Sequence, residues 1–220
     1  MRRLRTAALD EVREVVVVTP RRGLPELMHR ALADTGALLH GHFGLHGGKH
    51  TDYFIRFRAL SRSAELLGLV ADHLVTRVDA DVTTVIVPES AGFFLGDALA
   101  KRLGATIAVA RTDLQRRPAR SLYNGAILKT DRVLVVNDVV TTGASLEPLL
   151  DLVADRGATV SGVLVFGALD GPGFRAILNR RQVPGDHLLE AGPAWVLRTP
   201  DECPACARGD LPLLPAAELN

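Results

Sequence analysis

The chain has 220 residues, of which 47% are hydrophobic and 23% are charged, and its formal net charge at pH 7 is +1. This length fits one large domain, or one domain with small additions, and it is long enough to bury a substantial core. The near-neutral charge gives no bulk argument for a nucleic-acid partner, and no apolar run approaches the length needed to span a bilayer. The early arginines are mixed with acidic residues and precede no long apolar core, so we expect a cytoplasmic protein without nucleic-acid or membrane partners.

The first sixty residues predict a strand, a helix and a hairpin. Four consecutive valines at 15–18 form a strand-like run closed by a Thr-Pro pair, and Gly23–Leu39 carries apolar side chains at helical spacings. A Gly-rich turn then separates two apolar segments of Phe43–Arg58, which predicts a β-hairpin. The basic and aromatic side chains of this hairpin would line whatever it covers.

Helices and strands alternate from residue 63 to residue 168. The predicted helices are Ser63–Val78, Phe93–Leu103 and Leu146–Arg156, and the predicted strands are 81–88, 105–111, 132–136 and 159–168. A basic loop at 112–121 leads into a hairpin arm at 122–130, and the sequence after 168 is irregular apart from a short helix at 174–179. Such alternation is typical of βαβ units with right-handed crossovers around a parallel sheet.

The stretch at 132–146 says most about the chemistry; it reads Arg-Val-Leu-Val-Val-Asn-Asp-Val-Val-Thr-Thr-Gly-Ala-Ser-Leu. Its apolar β-branched run predicts a buried strand that ends at Asn137 and Asp138, and ligands of open α/β sheets bind just outside such strand ends. The loop at 141–145 then feeds a predicted helix, and it offers free backbone N–H groups, hydroxyls and the positive end of a helix dipole. These are the groups that bind a phosphate. An acidic side chain upstream can hold ribose hydroxyls or a metal-bound water.

This string resembles the phosphoribosyl-pyrophosphate (PRPP) motif of type I phosphoribosyltransferases, in which a hydrophobic strand and two acidic residues precede Thr-Thr-Gly-x-Ser. Its one departure is Asn137, where the family usually has Asp or Glu; the alternative is an ordinary strand–turn–helix junction capped by Thr and Ser. The resemblance implies the type I phosphoribosyltransferase fold, an α/β fold with a central, mostly parallel sheet flanked by helices. We accordingly expect an N-terminal helix and hood at 1–60, a PRPP-binding α/β core at 61–180 and a C-terminal appendage at 181–220.

The predicted hairpin is similar to the N-terminal segment of orotate phosphoribosyltransferases, Phe-x-Leu-x-Ser-Gly-x-x-Ser-x-Tyr. The matching residues are Phe43, Leu45, Gly48 and Tyr53, whereas Gly47 and Thr51 replace the two serines. In that family the segment packs over the base as part of a hood. The resemblance therefore implies a base site made by His46, Lys49, Tyr53, Phe54 and Arg56. The alternative for His46, Lys49 and His50 is a solvated turn.

The same resemblance implies roles for two further segments. The turn after the strand at 81–88 would receive the pyrophosphate through its backbone N–H groups, and the implied PRPP-binding residues are Glu89, Ser90, Ala91 and Gly92, together with Arg111. The basic loop at 112–121 matches the flexible catalytic loop, which closes over the pyrophosphate and supplies cations to the leaving group. Orotate enzymes use Lys residues and a His-Gly pair there, whereas this chain has Arg116, Arg117 and Arg120, which can make bidentate contacts. The alternative is a solvated basic loop without a catalytic role.

The activity implied by the resemblance is Mg²⁺-dependent transfer of ribose 5-phosphate from PRPP to a nitrogen of a base, orotate or a related pyrimidine-like acceptor, with release of pyrophosphate. The 5-phosphate would be held by Thr141, Thr142, Gly143, Ala144 and Ser145, and the catalytic residues would be Asp138, Asn137, Arg116 and Arg117. The family usually forms homodimers, which we expect here. The competing hypothesis is a non-catalytic sensor that binds PRPP or a nucleotide on the same fold. A Rossmann-type binder is disfavoured because no Gly-x-Gly-x-x-Gly opens a helix.

The chain has two cysteines, Cys203 and Cys206, in a Cys-x-x-Cys pair near the C-terminus. Three interpretations are open: a redox pair, half of a Zn²⁺ site, or a reduced structural turn. A zinc site needs two further ligands, for which His187, His73 or a second subunit are the candidates. We expect His40 and His42 to be solvated, and Trp195 to anchor a core or an interface.

Overall fold

The computed structural model describes residues 19–20, 31–45, 47–79, 81–89, 92–113, 118–190, 195–209, 211–216 and 219. The chain divides into two compact units, one made of 1–60 with 191–220 and the other of 61–190. The predicted strand at 15–18 and the first part of the predicted helix at 23–39 lie outside the described residues. Over the described ranges, the model contains no helix with both the length and the apolar character needed to cross a bilayer.

The strands and helices alternate much as the sequence predicts. In chain order the strands are β1 (Thr19–Pro20), β2 (Leu38–Gly44), β3 (His50–Ile55), β4 (Thr84–Pro88), β5 (Thr106–Thr112), β6 (Pro118–Asn124), β7 (Arg132–Val140), β8 (Thr159–Ala168), β9 (Gly185–Glu190) and β10 (Leu214–Pro215). The helices are α1 (Phe57–Leu60), α2 (Ala64–Val75), α3 (Gly92–Leu103), α4 (Glu147–Asp155), α5 (Gly171–Arg181) and α6 (Pro204–Arg208), with 3₁₀ turns at Ala144–Leu146 and Pro200–Glu202.

The unit at 61–190 is built on a mostly parallel sheet with strand order β9-β8-β7-β4-β5-β6. Every neighbouring pair in this order is parallel except β5 and β6. The central strand β4 is buried along its whole length, as expected for an apolar strand covered on both faces. Apolar side chains of α4 and α5 pack with those of β7 and β8 in one cluster, which covers the sheet. The structure thus confirms the α/β fold predicted from the sequence.

The unit made of 1–60 and 191–220 carries the hairpin. Strands β2 and β3 pair antiparallel, with an irregularity in register between His40 and Phe43, and β10 adds to β2 in parallel. Among the described residues of this unit, one buried apolar cluster consists of Leu39, Phe43, Leu45, Phe54 and Ala216. The predicted hairpin is therefore correct, and its apolar side chains contribute to the core of the unit.

Several predicted element ends need correction. The helix predicted to reach Leu39 ends by residue 34, because Gly36 adopts a left-handed φ of 61° that terminates helices, and β2 follows. Strand β7 continues through Val140 instead of stopping at 136, and β6 begins at Pro118, inside the predicted loop. Arg120 is consequently a strand residue, whose guanidinium donates to both carboxylate oxygens of Asp155.

The segment predicted to be irregular after residue 168 forms regular structure. Helix α5 begins at Gly171 because the Asp170 carboxylate accepts from the Gly173 N–H at 3.0 Å, and because the first turn of a helix tolerates Pro172. Strand β9 then pairs with β8 inside the sheet. The unit at 61–190 therefore continues ten residues beyond the predicted end of the core at residue 180.

Candidate functional site

The carboxyl ends of β4, β5 and β7 lie at one edge of the sheet, because these neighbouring strands run parallel. Glu89 directly follows β4, and its N–H donates to the Ala110 carbonyl at 2.8 Å. Arg111 follows Ala110 on β5, and its guanidinium lies 5.6 Å from the ring centre of Tyr123. The predicted PRPP residues Glu89 and Arg111 are both exposed at this edge. Ser90 and Ala91 lie outside the described residues.

Gly92 brings the turn after β4 into contact with the motif on β7. A Cβ atom at this position would lie 2.9 Å from Asn137 Oδ1 and 3.3 Å from both Asn137 Cα and the Asp138 nitrogen. A contact this short leaves no room for a side chain, so only glycine lets the two segments approach so closely. The residues predicted to bind pyrophosphate and those predicted to bind ribose therefore meet at Gly92.

Asn137 links three parts of the candidate site. Its side chain is buried; the Oδ1 atom accepts from the Asp138 N–H at 2.9 Å, and the Nδ2 group donates to Ser145 Oγ at 3.4 Å. The amide thus ties the end of the strand to the end of the Thr-Thr-Gly-Ala-Ser loop. A carboxylate has no N–H to donate, so the departure from the family motif coincides with a specific contact to Ser145.

Asp138 is a buried carboxyl group at the end of β7. Burial raises its pKa to about 6, although hydrogen bonds from the backbone N–H groups of Val139 and of Asp138 itself act in the opposite direction. The cause is the loss of water around the charged form. Hydroxyl donors or a cation bound beside this group would therefore favour its ionised form.

The Thr141–Ser145 loop, which follows β7, is held in shape by the start of α5. The Asp170 N–H donates to the Thr141 carbonyl at 3.2 Å. Gly143 adopts a left-handed φ of 80°, and a Cβ atom there would lie 2.9 Å from Ile177 Cδ1. The loop leads into the 3₁₀ turn at Ala144–Leu146 and then into α4. Because the first N–H groups of a helix have no partner within it, this junction can bind an anion.

The predictions for the three arginines of the basic loop fare differently. Arg116 and Arg117 lie outside the described residues, so their catalytic role stays a prediction. Arg120 is engaged by Asp155 and also lies 3.5 Å from Asp151 on α4, which makes it a structural contact between β6 and α4. Residues 118–121 of the predicted basic loop therefore belong to strand β6.

The residues predicted to bind the base lie on the hairpin, apart from Arg56, which follows it. Lys49 is exposed at the turn, and the Tyr53 ring lies half-buried with its centre 4.9 Å from that of His40 and 5.6 Å from that of Trp195. Arg56 donates to the Gly36 carbonyl at 3.3 Å. The Phe54 side chain is 7% exposed and packs in an apolar cluster of its unit, and its role in binding the base stays a prediction. His46 lies outside the described residues.

The cysteines have partners that the sequence did not suggest. His42 and His50 lie beside Cys203 and Cys206, with one potential ligand atom from each residue within 4.8 Å of the others. The predicted partners are wrong: His187 is buried against Phe174, and His73 contacts Arg77. His42 and His50 are buried rather than solvated, and burial, with His42 alongside, lowers the pKa of His50. No local spacing in the sequence connects residues this far apart.

Comparisons with known proteins agree with this geometry. The model of the phosphoribosyl transferase domain matches residues 63–171. The orotate phosphoribosyltransferase of Thermotoga maritima is 31% identical over 186 residues, which cover 83% of this chain and 94% of that protein. The chain belongs to the type I phosphoribosyltransferase family. This phosphoribosyltransferase is therefore an enzyme of the glycosyltransferase class.

Solved structures give the same family. The orotate phosphoribosyltransferase from Aeropyrum pernix is 26% identical with a TM-score of 0.58, and the match covers 73% of this chain and 90% of that one. The UMP synthase of Leishmania donovani has a TM-score of 0.62 at 21% identity, over 73% of this phosphoribosyltransferase and 35% of that chain. At this identity, the similarity to the UMP synthase shows a shared fold only.

The raised pKa of Asp138 predicts an unusual dependence of stability on pH. Between pH 3.8, the ordinary pKa of an aspartate, and about pH 6, the folded protein binds more protons than the unfolded chain, so its stability falls as pH rises across this window. This difference in the pKa of Asp138 between the folded and unfolded states corresponds to a loss of about 3 kcal/mol in the free energy of unfolding. We expect Asp138→Asn to remove this loss, so that the variant gains stability relative to wild type from pH 4 to pH 7. Urea unfolding across the window measures this, and a difference that does not change with pH would contradict it.

Proposed function

We propose that this phosphoribosyltransferase uses PRPP and transfers its ribose 5-phosphate group to a nitrogen of orotate or a related pyrimidine-like base, releasing pyrophosphate. The observation that supports this most strongly is the contact of Gly92 with Asn137 and Asp138. Through it, a turn suited to pyrophosphate and a strand end suited to ribose share one edge of the sheet. PRPP joins a pyrophosphate to a ribose phosphate, so its site must serve both groups.

The 5-phosphate has a matching candidate in Thr141–Ser145. In this proposal the N–H groups at the start of the 3₁₀ turn and the side-chain hydroxyls donate to the phosphate oxygens. The left-handed Gly143 and the hydrogen bond from Asp170 to Thr141 keep the loop preorganised. A preorganised site orders few groups on binding, which favours affinity for a small dianion.

Asp138 would act on the ribose. Its carboxylate would accept from the ribose hydroxyls, and its negative charge would stabilise the oxocarbenium character that develops at the sugar as pyrophosphate departs. The burial that raises the pKa of this group also strengthens its interaction with a cation, because little water screens it. No covalent step is required of the protein, whose role is positioning and electrostatics.

Mg²⁺ fits the available donors. The ion prefers oxygen ligands and usually binds one or two carboxylates together with substrate phosphates and water, and Asp138 and Glu89 supply carboxylates at this edge of the sheet. When bound, it would neutralise charge on the pyrophosphate. Arg111 is exposed at the same edge, and Arg116 and Arg117 follow it along the chain; in this proposal all three would assist the leaving group.

The proposal for the acceptor rests on the relatives and on the hairpin. Orotate carries a carboxylate, and the exposed ammonium of Lys49 offers it a counter-charge, while the half-buried ring of Tyr53 offers a surface for stacking. Arg56 supplies a second cation next to the hairpin. The alternative of a non-catalytic PRPP sensor has no support among the relatives. The homodimer, the cytoplasmic location and the absence of nucleic-acid and membrane partners stay predictions.

Turnover with a panel of acceptors tests the proposed function. The protein is incubated with PRPP, Mg²⁺ and, in separate reactions, orotate, uracil, adenine or no base, while pyrophosphate release is followed. We expect release with orotate and none without a base. Release with adenine alone would overturn the proposed acceptor. Tight PRPP binding without release in any reaction would instead support the sensor.

Asn137→Asp tests whether the missing charge limits the rate. A carboxylate at this position would add negative charge beside the cationic sugar, and a gain of roughly 1 kcal/mol in transition-state stabilisation would raise kcat about 5-fold. The same carboxylate would lie next to Asp138, so we also expect a lower free energy of unfolding at pH 8. Asn124→Asp, on the exposed end of β6, is the matched control and should change neither quantity. An unchanged kcat in Asn137→Asp would contradict the idea that this departure slows catalysis.

A further inference from the structure

We propose that His42, His50, Cys203 and Cys206 form a structural Zn²⁺ site that fastens the C-terminal segment to the hairpin. This site lies wholly within the unit made of 1–60 and 191–220, so it does not depend on the proposed transferase function. The fold brings these four residues together, their donor atoms lie close to one another, and a backbone carbonyl holds the His42 ring.

The hairpin supplies the two imidazoles on one face. His50 pairs with Gly44 across the hairpin, and His42 is two residues from Gly44 on the same strand, so the two side chains share a face. The shift in register between His40 and Phe43 produces this arrangement. His42 Nε2 lies 3.1 Å from His50 Nδ1. Both rings are buried, at 3% and 7% exposure.

The C-terminal segment supplies the two thiols. Cys203 stands at the N-cap of α6, and Cys206 follows three residues later, so both side chains lie on one side of the helix. This segment is already joined to the hairpin, because Arg198 and His50 exchange two backbone hydrogen bonds of 2.8 and 2.9 Å. An ion pair of 2.9 Å between Arg198 and Asp52 adds to the junction.

Four of the distances between donor atoms, 3.1 to 3.5 Å, are close to those of a tetrahedral zinc site. Zn–N bonds of about 2.0–2.1 Å and Zn–S bonds of about 2.3 Å place neighbouring ligand atoms roughly 3.3–3.8 Å apart. The sulfurs of Cys203 and Cys206 lie 3.4 and 3.5 Å from His42 Nε2, and Cys206 Sγ lies 3.3 Å from His50 Nδ1. Two thiolates and two imidazoles in a tetrahedral arrangement favour Zn²⁺ over Mg²⁺ or Ca²⁺.

The second nitrogen of His42 has the partner that zinc-binding histidines usually have. Nδ1 lies 3.3 Å from the Leu211 carbonyl, to which its N–H would donate. That contact selects the tautomer in which Nε2 carries the lone pair that faces both sulfurs and His50. Backbone carbonyls commonly hold metal-bound histidines in this way.

A closed site with four protein ligands is characteristic of structural zinc. The ligands come from two segments about 150 residues apart in the chain, and a metal bound between them would couple its binding free energy to the folding of this unit. The site would fix the position of the hairpin that carries Lys49 and Tyr53. Cys206 is the exposed member and offers the route by which the ion enters.

Metal analysis of the full-length protein tests the site. We expect about one Zn²⁺ per chain after dialysis. Replacing it with Co²⁺ should give the visible absorption of tetrahedral cobalt together with a thiolate-to-metal charge-transfer band. Cys206→Ser should lose the charge-transfer band. Its zinc affinity should fall by more than the roughly 10–100-fold that removal of a group hydrogen-bonded to a ligand costs, because Cys206 is itself a proposed ligand. His73→Asn removes a histidine outside the cluster and is the matched control, which should keep both the zinc and the band.

A second measurement keeps the test decisive if Cys206→Ser fails to fold. In the wild-type protein, bound Zn²⁺ should protect both thiols from alkylation, and a chelator should remove the protection and lower Tm. Three results would overturn the proposal: a wild-type chain that takes up neither Zn²⁺ nor Co²⁺, cobalt binding without a thiolate band, or a disulfide between Cys203 and Cys206 in freshly purified protein. Equal loss of metal in His73→Asn and Cys206→Ser would also contradict it.

Discussion

The close approach of Gly92 to Asn137 and Asp138 is the contact on which the candidate active site depends. It exists because β4 and β7 are parallel neighbours whose carboxyl ends meet, and because the first residue of α3 has no side chain. The Asn137 amide extends the same contact to Ser145, so the turn after β4, the end of β7 and the Thr141–Ser145 loop are connected. Burial at this junction also raises the pKa of Asp138.

Two different means of stabilisation operate in the two units. The unit at 61–190 relies on a sheet whose central strands are apolar and covered by helices, which is sufficient for a domain of this size. In the unit that carries the hairpin, the proposed zinc site would add to the apolar packing by joining two segments that lie far apart in the sequence. A precise base site needs a rigid hairpin. The proposed metal would therefore contribute to function by holding the hairpin in place, and it would not contact the substrates.

The sequence predicted the features that depend on local pattern. The apolar run of β7 and the following Thr-Thr-Gly-Ala-Ser indicated the family and the fold, and the helix and strand periods located most elements. Contacts between distant residues were not predictable in this way: nothing in the spacing joins His42 to Cys203. The start of α5 was missed because Gly-Pro-Gly is typical of a loop, and only the Asp170 cap shows that it begins a helix. The approach of Gly92 to Asn137 likewise follows from strand order, which a local pattern does not contain.

The central claim, that the junction at Gly92 forms the PRPP site, is tested most directly by calorimetric titration of Gly92→Ala with PRPP and Mg²⁺. The added methyl group would displace Asn137, and a loss of about 1.4 kcal/mol corresponds to 10-fold weaker binding. Gly68→Ala is the control: a Cβ atom on this helical glycine would lie 3.6 Å from Arg102 Nη2, an ordinary contact, so this variant should bind as wild type does. The account predicts at least this 10-fold loss for Gly92→Ala alone. Unchanged PRPP affinity in a folded Gly92→Ala protein would contradict it.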